Sequence, residues 1–199
     1  RFNKKAQPKH LVEIKGVPIL LWTLSTVLEL DEESLVTVVT NEKNLAATKE
    51  KLTLVKDQRN SDRITITLGG EHRIDSFYNG LNYQKTIKAL NQNSIIGLID
   101  ANRPLVQKST YKNLISLAIR QHCSCPTRDI TNGIANVHNK KITNVPNKKE
   151  YHHFYTPEFI KYSVLNHTNN QNIKFNSMVE YALNAGIEPS RIDSDELTC

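Results

Sequence analysis

Apolar positions along this chain follow two alternating rhythms, one near 3.6 residues and one near two. "VPILLWTLSTVLEL" (17–30) is apolar enough for a buried helix, with Pro18 tolerated in its first turn. "SLVTVVT" (34–40) has the β-branched density of an interior strand. "EKNLAATKEKLTLV" (42–55) reads as a helix with Glu and Lys on its exposed side. "RITITLGG" (63–70) alternates as a strand and stops on two glycines. In "EHRIDSFYNGLNY" (71–83), Ile74, Phe77, Tyr78 and Leu81 recur at helical spacing. "SIIGLID" (94–100) is a further strand, and "STYKNLISLAIRQ" (109–121) a helix with Ser109 or Thr110 available as its cap. Strand and helix in this succession predict right-handed βαβ units on a parallel sheet, an α/β fold.

From 124 to 153 the pattern changes. Short extended pieces separated by Asn, Gly and Pro carry no helical stripe, which predicts an antiparallel excursion or arm. "TPEFIKYSVLN" (156–166) reads as helix again, with Thr156 as cap and Pro157 in the first helical position. "NSMVEYALNAG" (176–186) predicts a last helix stopped by Gly186.

Composition narrows the function classes. The chain has 199 residues, 38% of them hydrophobic and 23% charged, enough for an ordinary core and one domain spanning 1–199. Its formal charge of +6 suits an anionic partner, whether nucleic acid, phosphorylated metabolite or acidic membrane surface. The longest apolar stretch, "VPILLW" (17–22), is too short to cross a bilayer. Three cysteines, Cys123, Cys125 and Cys199, form no metal-like array and read as reduced thiols of a cytoplasmic protein. Aromatic residues are not interleaved with the basic ones, as a single-strand nucleic-acid binder requires.

Candidate chemistry collects where strands end, the place where open α/β sheets bind ligands. In "GGEHRIDS", Gly69 and Gly70 between a strand and a helix leave backbone N–H groups free for an anion or a base edge, with Arg73 and Ser76 on the same crevice. The plainer reading is a strand-to-helix turn whose glycines only relieve φ. In "IDANRP", Asp100 stands where a Mg²⁺-binding carboxylate commonly sits, since Mg²⁺ takes one or two carboxylates plus substrate phosphates. Arg103 could meet a phosphate or simply pair with Asp100, and Pro104 fixes the exit of the chain. Alone, Asp100 is equally a turn residue. "RFNKKAQPKHL" supplies Arg1, Lys4, Lys5 and Lys9, otherwise a solvated basic tail. His152 and His153, adjacent in an extended stretch, point to opposite faces and cannot easily share a metal.

Taken in order, Arg1, "PK" (8–9), "VPILLWTL", "GGEHRIDSFYNGL", "DANRP" and "TPEF" resemble the CDP-alcohol-forming cytidylyltransferases over nearly the whole chain. That family includes the methylerythritol-phosphate and ribitol-phosphate cytidylyltransferases, and "KKEYHHFYTPE" is closer to the ribitol-phosphate branch. The resemblance implies a Rossmann-like three-layer α/β/α nucleotidyltransferase fold, with a mostly parallel sheet and a small antiparallel β-arm at 130–153. It implies that Arg1 and Lys9 are catalytic, holding the triphosphate of CTP and stabilising charge at the α-phosphate. It implies that Gly69, Gly70, Arg73 and Ser76 bind the nucleotide, and that Asp100 binds it through Mg²⁺. Asp129, Lys148 and Thr156 are implied to bind the acceptor, a phosphorylated sugar alcohol. Lys148 stands where the family usually has arginine, and supplies charge without a bidentate fork. A homodimer through the arm is implied as well, and neither membrane nor nucleic acid is expected as a partner.

The matched positions begin after the family's first strand and glycine-rich loop, and end before its lysine-containing strand and final helix. The sequence is therefore expected to be a fragment at both ends. Within it, the family's Thr-Pro-Gln is Thr156-Pro157-Glu158, Ile99 replaces a common histidine, and "KFNSMVE" lacks an acidic pair. The function expected is transfer of CMP from CTP to D-ribitol 5-phosphate with release of pyrophosphate. The alternatives are 2-C-methyl-D-erythritol 4-phosphate as acceptor, or a non-catalytic relative that binds a nucleotide.

Overall fold

The computed structural model describes residues 7–55, 61–86, 90–167 and 175–193. After a 3₁₀ turn at Lys9–Leu11 come the short strands β1 (Glu13–Ile14) and β2 (Val17–Pro18), then helix α1 (Ile19–Leu28), with Pro18 at its N-cap. Strand β3 (Val36–Thr40), helix α2 (Glu42–Leu52), strand β4 (Ile64–Leu68), helix α3 (Arg73–Thr86), strand β5 (Ile95–Leu98) and helix α4 (Lys108–Gln121) follow. Strand β6 (Cys123–Asp129) leads into the hairpin β7 (Asn136–His138) and β8 (Lys141–Asn144), a 3₁₀ turn at Lys148–Glu150 and strand β9 (His152–Phe154). Strand β10 (Glu158–Lys161), helices α5 (Tyr162–His167) and α6 (Met178–Asn184) and strand β11 (Ser190–Asp193) complete the order.

One sheet runs β11-β6-β10-β5, with β9 also paired to β6, while β3 and β4 form a parallel pair. Strand alternation assigns the faces. Ile160 of β10, Ile96 and Leu98 of β5 and Cys123 of β6 meet α3, α5 and α6 in one cluster. Phe159 and Ile95, each one residue out of phase, meet Val106 and the apolar side of α4 on the opposite face. The β3–β4 pair repeats the arrangement. Val36 and Val38 join Leu20, Leu21, Leu24 and Leu28 of α1 and Leu52 of α2, whereas Gly80 of α3 approaches Val39. The result is the expected three-layer α/β/α arrangement.

The sheet is mixed rather than mostly parallel because β9 runs antiparallel to β6 and, more centrally, because of one further segment. Residues 158–161 form β10 instead of continuing a helix from Thr156, and β10 lies antiparallel between β5 and β6. Phe159 and Ile160 are both buried, on opposite faces, a demand that only a strand meets. The Thr156–Pro157 bond is cis, and Thr156 caps no helix because a strand follows it. Two other local expectations also change. Gln107, not Ser109 or Thr110, stands at the N-cap of α4, without a side-chain cap bond. Cys123–Thr127, at the edge of the stretch read as an excursion, is buried strand. β3 is half-buried apart from Thr40, less enclosed than its β-branched run suggested.

The antiparallel hairpin at 136–144 is exposed along both strands, and α6 ends at Asn184 with Gly186 at φ +77° just beyond it, near the stop that the pattern predicts. Cys123 and Cys125 are buried in β6, where burial pushes both thiols up to about 12, so they act as small core residues. Cys199 lies outside the described residues.

Gly97 lies close against the Phe159 ring across the sheet. A Cβ on Gly97 would lie 2.6 Å from Cε1 of Phe159, whose ring also meets Tyr111 edge-on at 6.3 Å. Gly97→Ala is therefore expected to cost about 1–3 kcal/mol, and Phe159→Ala about 3–5 kcal/mol, in urea denaturation. In the Phe159→Ala background, Gly97→Ala should cost almost nothing. Additive losses would show that the two residues do not share this space.

Candidate active site

The register Glu158↔Leu98 sets the site. Counted outward from that pair, Thr156 comes level with Asp100, just beyond the carboxyl end of β5. Here a cleft of about 530 Å³ opens, lined by Arg73, Asp100, Arg103, Tyr155, Thr156 and Glu158 on one side and by the start of α6 on the other.

Asp100 lies between two guanidinium groups. Arg73, the first residue of α3, places Nη2 3.4 Å from Oδ1, and Arg103 places Nε 3.2 Å from Oδ2. The backbone N–H of Arg103 also donates to the Asp100 carbonyl at 3.3 Å, so "DANR" is a turn, while Pro104 directs the chain away. The Arg103 guanidinium lies over the Tyr155 ring, 5.3 Å from its centroid, a cation–π arrangement that restrains it. Thr156 is 2% exposed, and its hydroxyl finds no partner among the described residues. A buried hydroxyl without a partner is uncommon and marks a position that a bound group could satisfy.

The floor of the cleft is Glu158, 2% exposed. It shares a strand face with Ile160 and so points toward α6, where its Oε2 accepts the N–H of Val179 at 3.1 Å. Its Oε1 lies 3.9 Å from Nη2 of Arg73. Burial raises its pKa from the ordinary 4.5, opposed by the Val179 N–H and by Arg73. The first turn of α6 is completed by Ser177, which accepts from the Glu180 N–H at 3.0 Å, while Oε2 of Glu180 accepts the Asn176 N–H at 2.7 Å. This is a capping box, shifted by one residue on its return bond.

The "GGEHRIDS" turn differs from expectation in an instructive way. Neither glycine N–H is free: Gly69 donates to the Thr40 carbonyl at 2.8 Å, and Gly70 to Oγ of Ser76 at 3.1 Å. Ser76 Oγ in turn donates to the His72 carbonyl, and the His72 N–H is held by Asp75. Nor do the glycines serve positive φ. They are needed for close approach, because a Cβ on Gly69 would lie 2.5 Å from Ser76 Oγ, and one on Gly70 2.2 Å from Asp75 Cβ. The turn is a tight clasp that fixes where α3 begins, and thereby where Arg73 stands.

The structure brings together Arg73, Asp100 and Thr156, and adds Arg103. Lys9 lies exposed in the Lys9–Leu11 turn and does not line this cleft, and Arg1 is outside the described residues. Asp129 and Lys148 also lie elsewhere. Asp129 pairs with His152 at 3.1 Å, and Lys148 donates to the Thr131 carbonyl at 2.9 Å. Glu158 was visible only as a departure from a motif, because a helix through 156–166 hides its role. The alternation of "EFIK" and the Ser177-x-x-Glu180 pattern were the signals available.

A divalent ion fits Asp100 only in one manner. Among the described residues no three His, Cys, Asp or Glu side chains come together as a metal cage. A single carboxylate can still hold Mg²⁺ that shares its coordination with substrate phosphates.

A three-layer α/β/α domain whose charged cleft lies past the strand ends has the fold of the α/β nucleotidyltransferases. A solved 4-diphosphocytidyl-2C-methyl-D-erythritol synthase superposes with a TM-score of 0.77 at 17% identity, covering 96% of this chain and 89% of its own. The 2-C-methyl-D-erythritol 4-phosphate cytidylyltransferase of Francisella tularensis gives 0.73 at 19% identity, covering 97% and 88%. Residues 1–188 match the family described as IspD: 2-C-methyl-D-erythritol 4-phosphate cytidylyltransferase, and the chain belongs to that family of CTP-dependent transferases.

Relatives bearing the same name include those of Thermosipho melanesiensis, 29% identical over 83% of this chain and 69% of theirs, and Halalkalibacterium halodurans, 26% identical over 75% and 62%. The chain thus spans roughly two thirds of these relatives' length. The comparisons support the methylerythritol-phosphate branch, the alternative in the sequence reading, and not the ribitol-phosphate branch put first there.

Because the glycine turn is sterically closed, Gly70→Ala should lower stability by about 1–3 kcal/mol. Ser76→Ala, which leaves one N–H without its acceptor, should cost about 1 kcal/mol. Thermal melts of both variants check this, and an unchanged Gly70→Ala melt would mean that the clasp is looser than its geometry.

Proposed function

We propose that the protein transfers CMP from CTP to 2-C-methyl-D-erythritol 4-phosphate, releasing pyrophosphate. Family membership supports the reaction class, and the names of the relatives support the acceptor. The observation that carries the site is Asp100, held between Arg73 and Arg103 beside the Thr156 hydroxyl, which has no partner among the described residues.

The reaction asks little covalent chemistry of the protein. An oxygen of the acceptor phosphate, already anionic near neutral pH, attacks the α-phosphorus of CTP in line, and the bond to the β-phosphate oxygen breaks. Catalysis rests on positioning and on cations around the developing charge. Arg73 and Arg103 orient phosphate oxygens, the Thr156 hydroxyl donates to the acceptor phosphate, and the cleft restricts water. Lys9 and Arg1 bring further positive charge to the triphosphate, and Gly69, Gly70 and Ser76 hold the nucleoside end by their shape. Asp129 and Lys148, near the base of the arm, serve the acceptor. Mg²⁺ arriving with the triphosphate would be held by Asp100 and would neutralise charge there. We include in this proposal a cytoplasmic homodimer joined through the hairpin, whose Val137 and Ile142 are exposed.

Pyrophosphate release measured with CTP, Mg²⁺ and each acceptor should favour 2-C-methyl-D-erythritol 4-phosphate over D-ribitol 5-phosphate. Asp100→Asn should lower turnover by about 10²–10³-fold while melting like the parent. Undiminished turnover in that variant would remove Asp100 from the mechanism, and preference for ribitol phosphate would reverse the acceptor.

A further inference from the structure

Glu158 is a carboxylate at the floor of the cleft, 2% exposed, and the proposed reaction gives it no contact with either substrate. Its two oxygens have different duties. Oε2 accepts from Val179 in the first turn of α6, while Oε1 faces Nη2 of Arg73 at 3.9 Å. Arg73 in turn reaches Asp100 at 3.4 Å. One buried side chain therefore links the walls formed by α3 and α6 to strand β10. Burying a carboxylate disfavours its charged form, so an apolar or amide residue would serve the core at least as well.

The amide is the informative comparison. A glutamine here could keep its carbonyl on the Val179 N–H, but its NH₂ group would then face the Arg73 guanidinium, donor against donor. Holding the helix requires only an acceptor, whereas holding Arg73 requires an anion. We propose that Glu158 is a positioning residue, whose carboxylate fixes the Arg73 guanidinium at the cleft while anchoring the first turn of α6. As a statement about nucleotide binding, this rests on the cytidylyltransferase reading; as a statement about Glu158 and Arg73, it does not.

The test uses Glu158→Gln, Arg73→Gln and the double variant. In urea denaturation, the changes in the unfolding constant should fail to multiply, with the double variant departing from the product of the single effects by about fivefold. Titration with Mg²⁺-CTP then reads the consequence. Glu158→Gln should weaken binding by about fivefold, and adding it to Arg73→Gln should weaken binding no further.

Effects on unfolding that simply multiply would overturn the proposal. So would coupled stability combined with parental CTP affinity in Glu158→Gln, because the contact with Arg73 would then stabilise the fold without positioning Arg73 for a nucleotide. If the parent protein binds no CTP, the cytidylyltransferase reading fails, and the unfolding cycle still decides whether Glu158 holds Arg73.

Discussion

The antiparallel insertion of Glu158–Lys161 between β5 and β6 is the constraint on which the rest of the structure depends. It buries Phe159 against α4 and Ile160 against α6, joining the two faces of the core through adjacent residues. Its register also sets the site. Glu158 opposite Leu98 brings Thr156 level with Asp100, so residues more than fifty apart in sequence share one cleft. The packing that stabilises the sheet and the geometry that could do chemistry are thus two consequences of one pairing.

The cleft is electrostatically balanced rather than simply basic. Asp100 and Glu158 both face Arg73, and Arg103 is held by Asp100 and by the Tyr155 ring. Two arginines fixed in this way have lost side-chain freedom before any ligand arrives, so less is lost on binding. The "GGEHRIDS" clasp acts in the same direction. By closing tightly through Ser76, it fixes the first turn of α3, from which Arg73 projects.

Most of the α/β order was legible in the sequence because its helices and strands are amphipathic at the expected periods. The stretch 17–30 narrows to Ile19–Leu28, and 71–83 becomes Arg73–Thr86, both with their apolar faces inward. The helix expected from Thr156 begins only at Tyr162, after a strand, for a physical reason. "EFIK" is too short for periodicity to decide, and Thr-Pro is as good a helix start as a strand entry. The same error concealed Glu158, whose direction follows only from strand alternation. At the glycine pair the residues were read correctly as a turn, but the reason lay in distances to Ser76 and Asp75 that no local pattern reveals. Asp100 and Arg103 could be paired from their spacing, whereas Arg73, 27 positions upstream of Asp100, joined them only through the fold.

The most direct test of the central claim is a crystal structure of the protein with CTP and Mg²⁺. The account predicts the triphosphate beside Asp100, with phosphate oxygens meeting the Arg73 or Arg103 guanidinium where it already stands. A nucleotide bound elsewhere, away from both guanidinium groups, would contradict it.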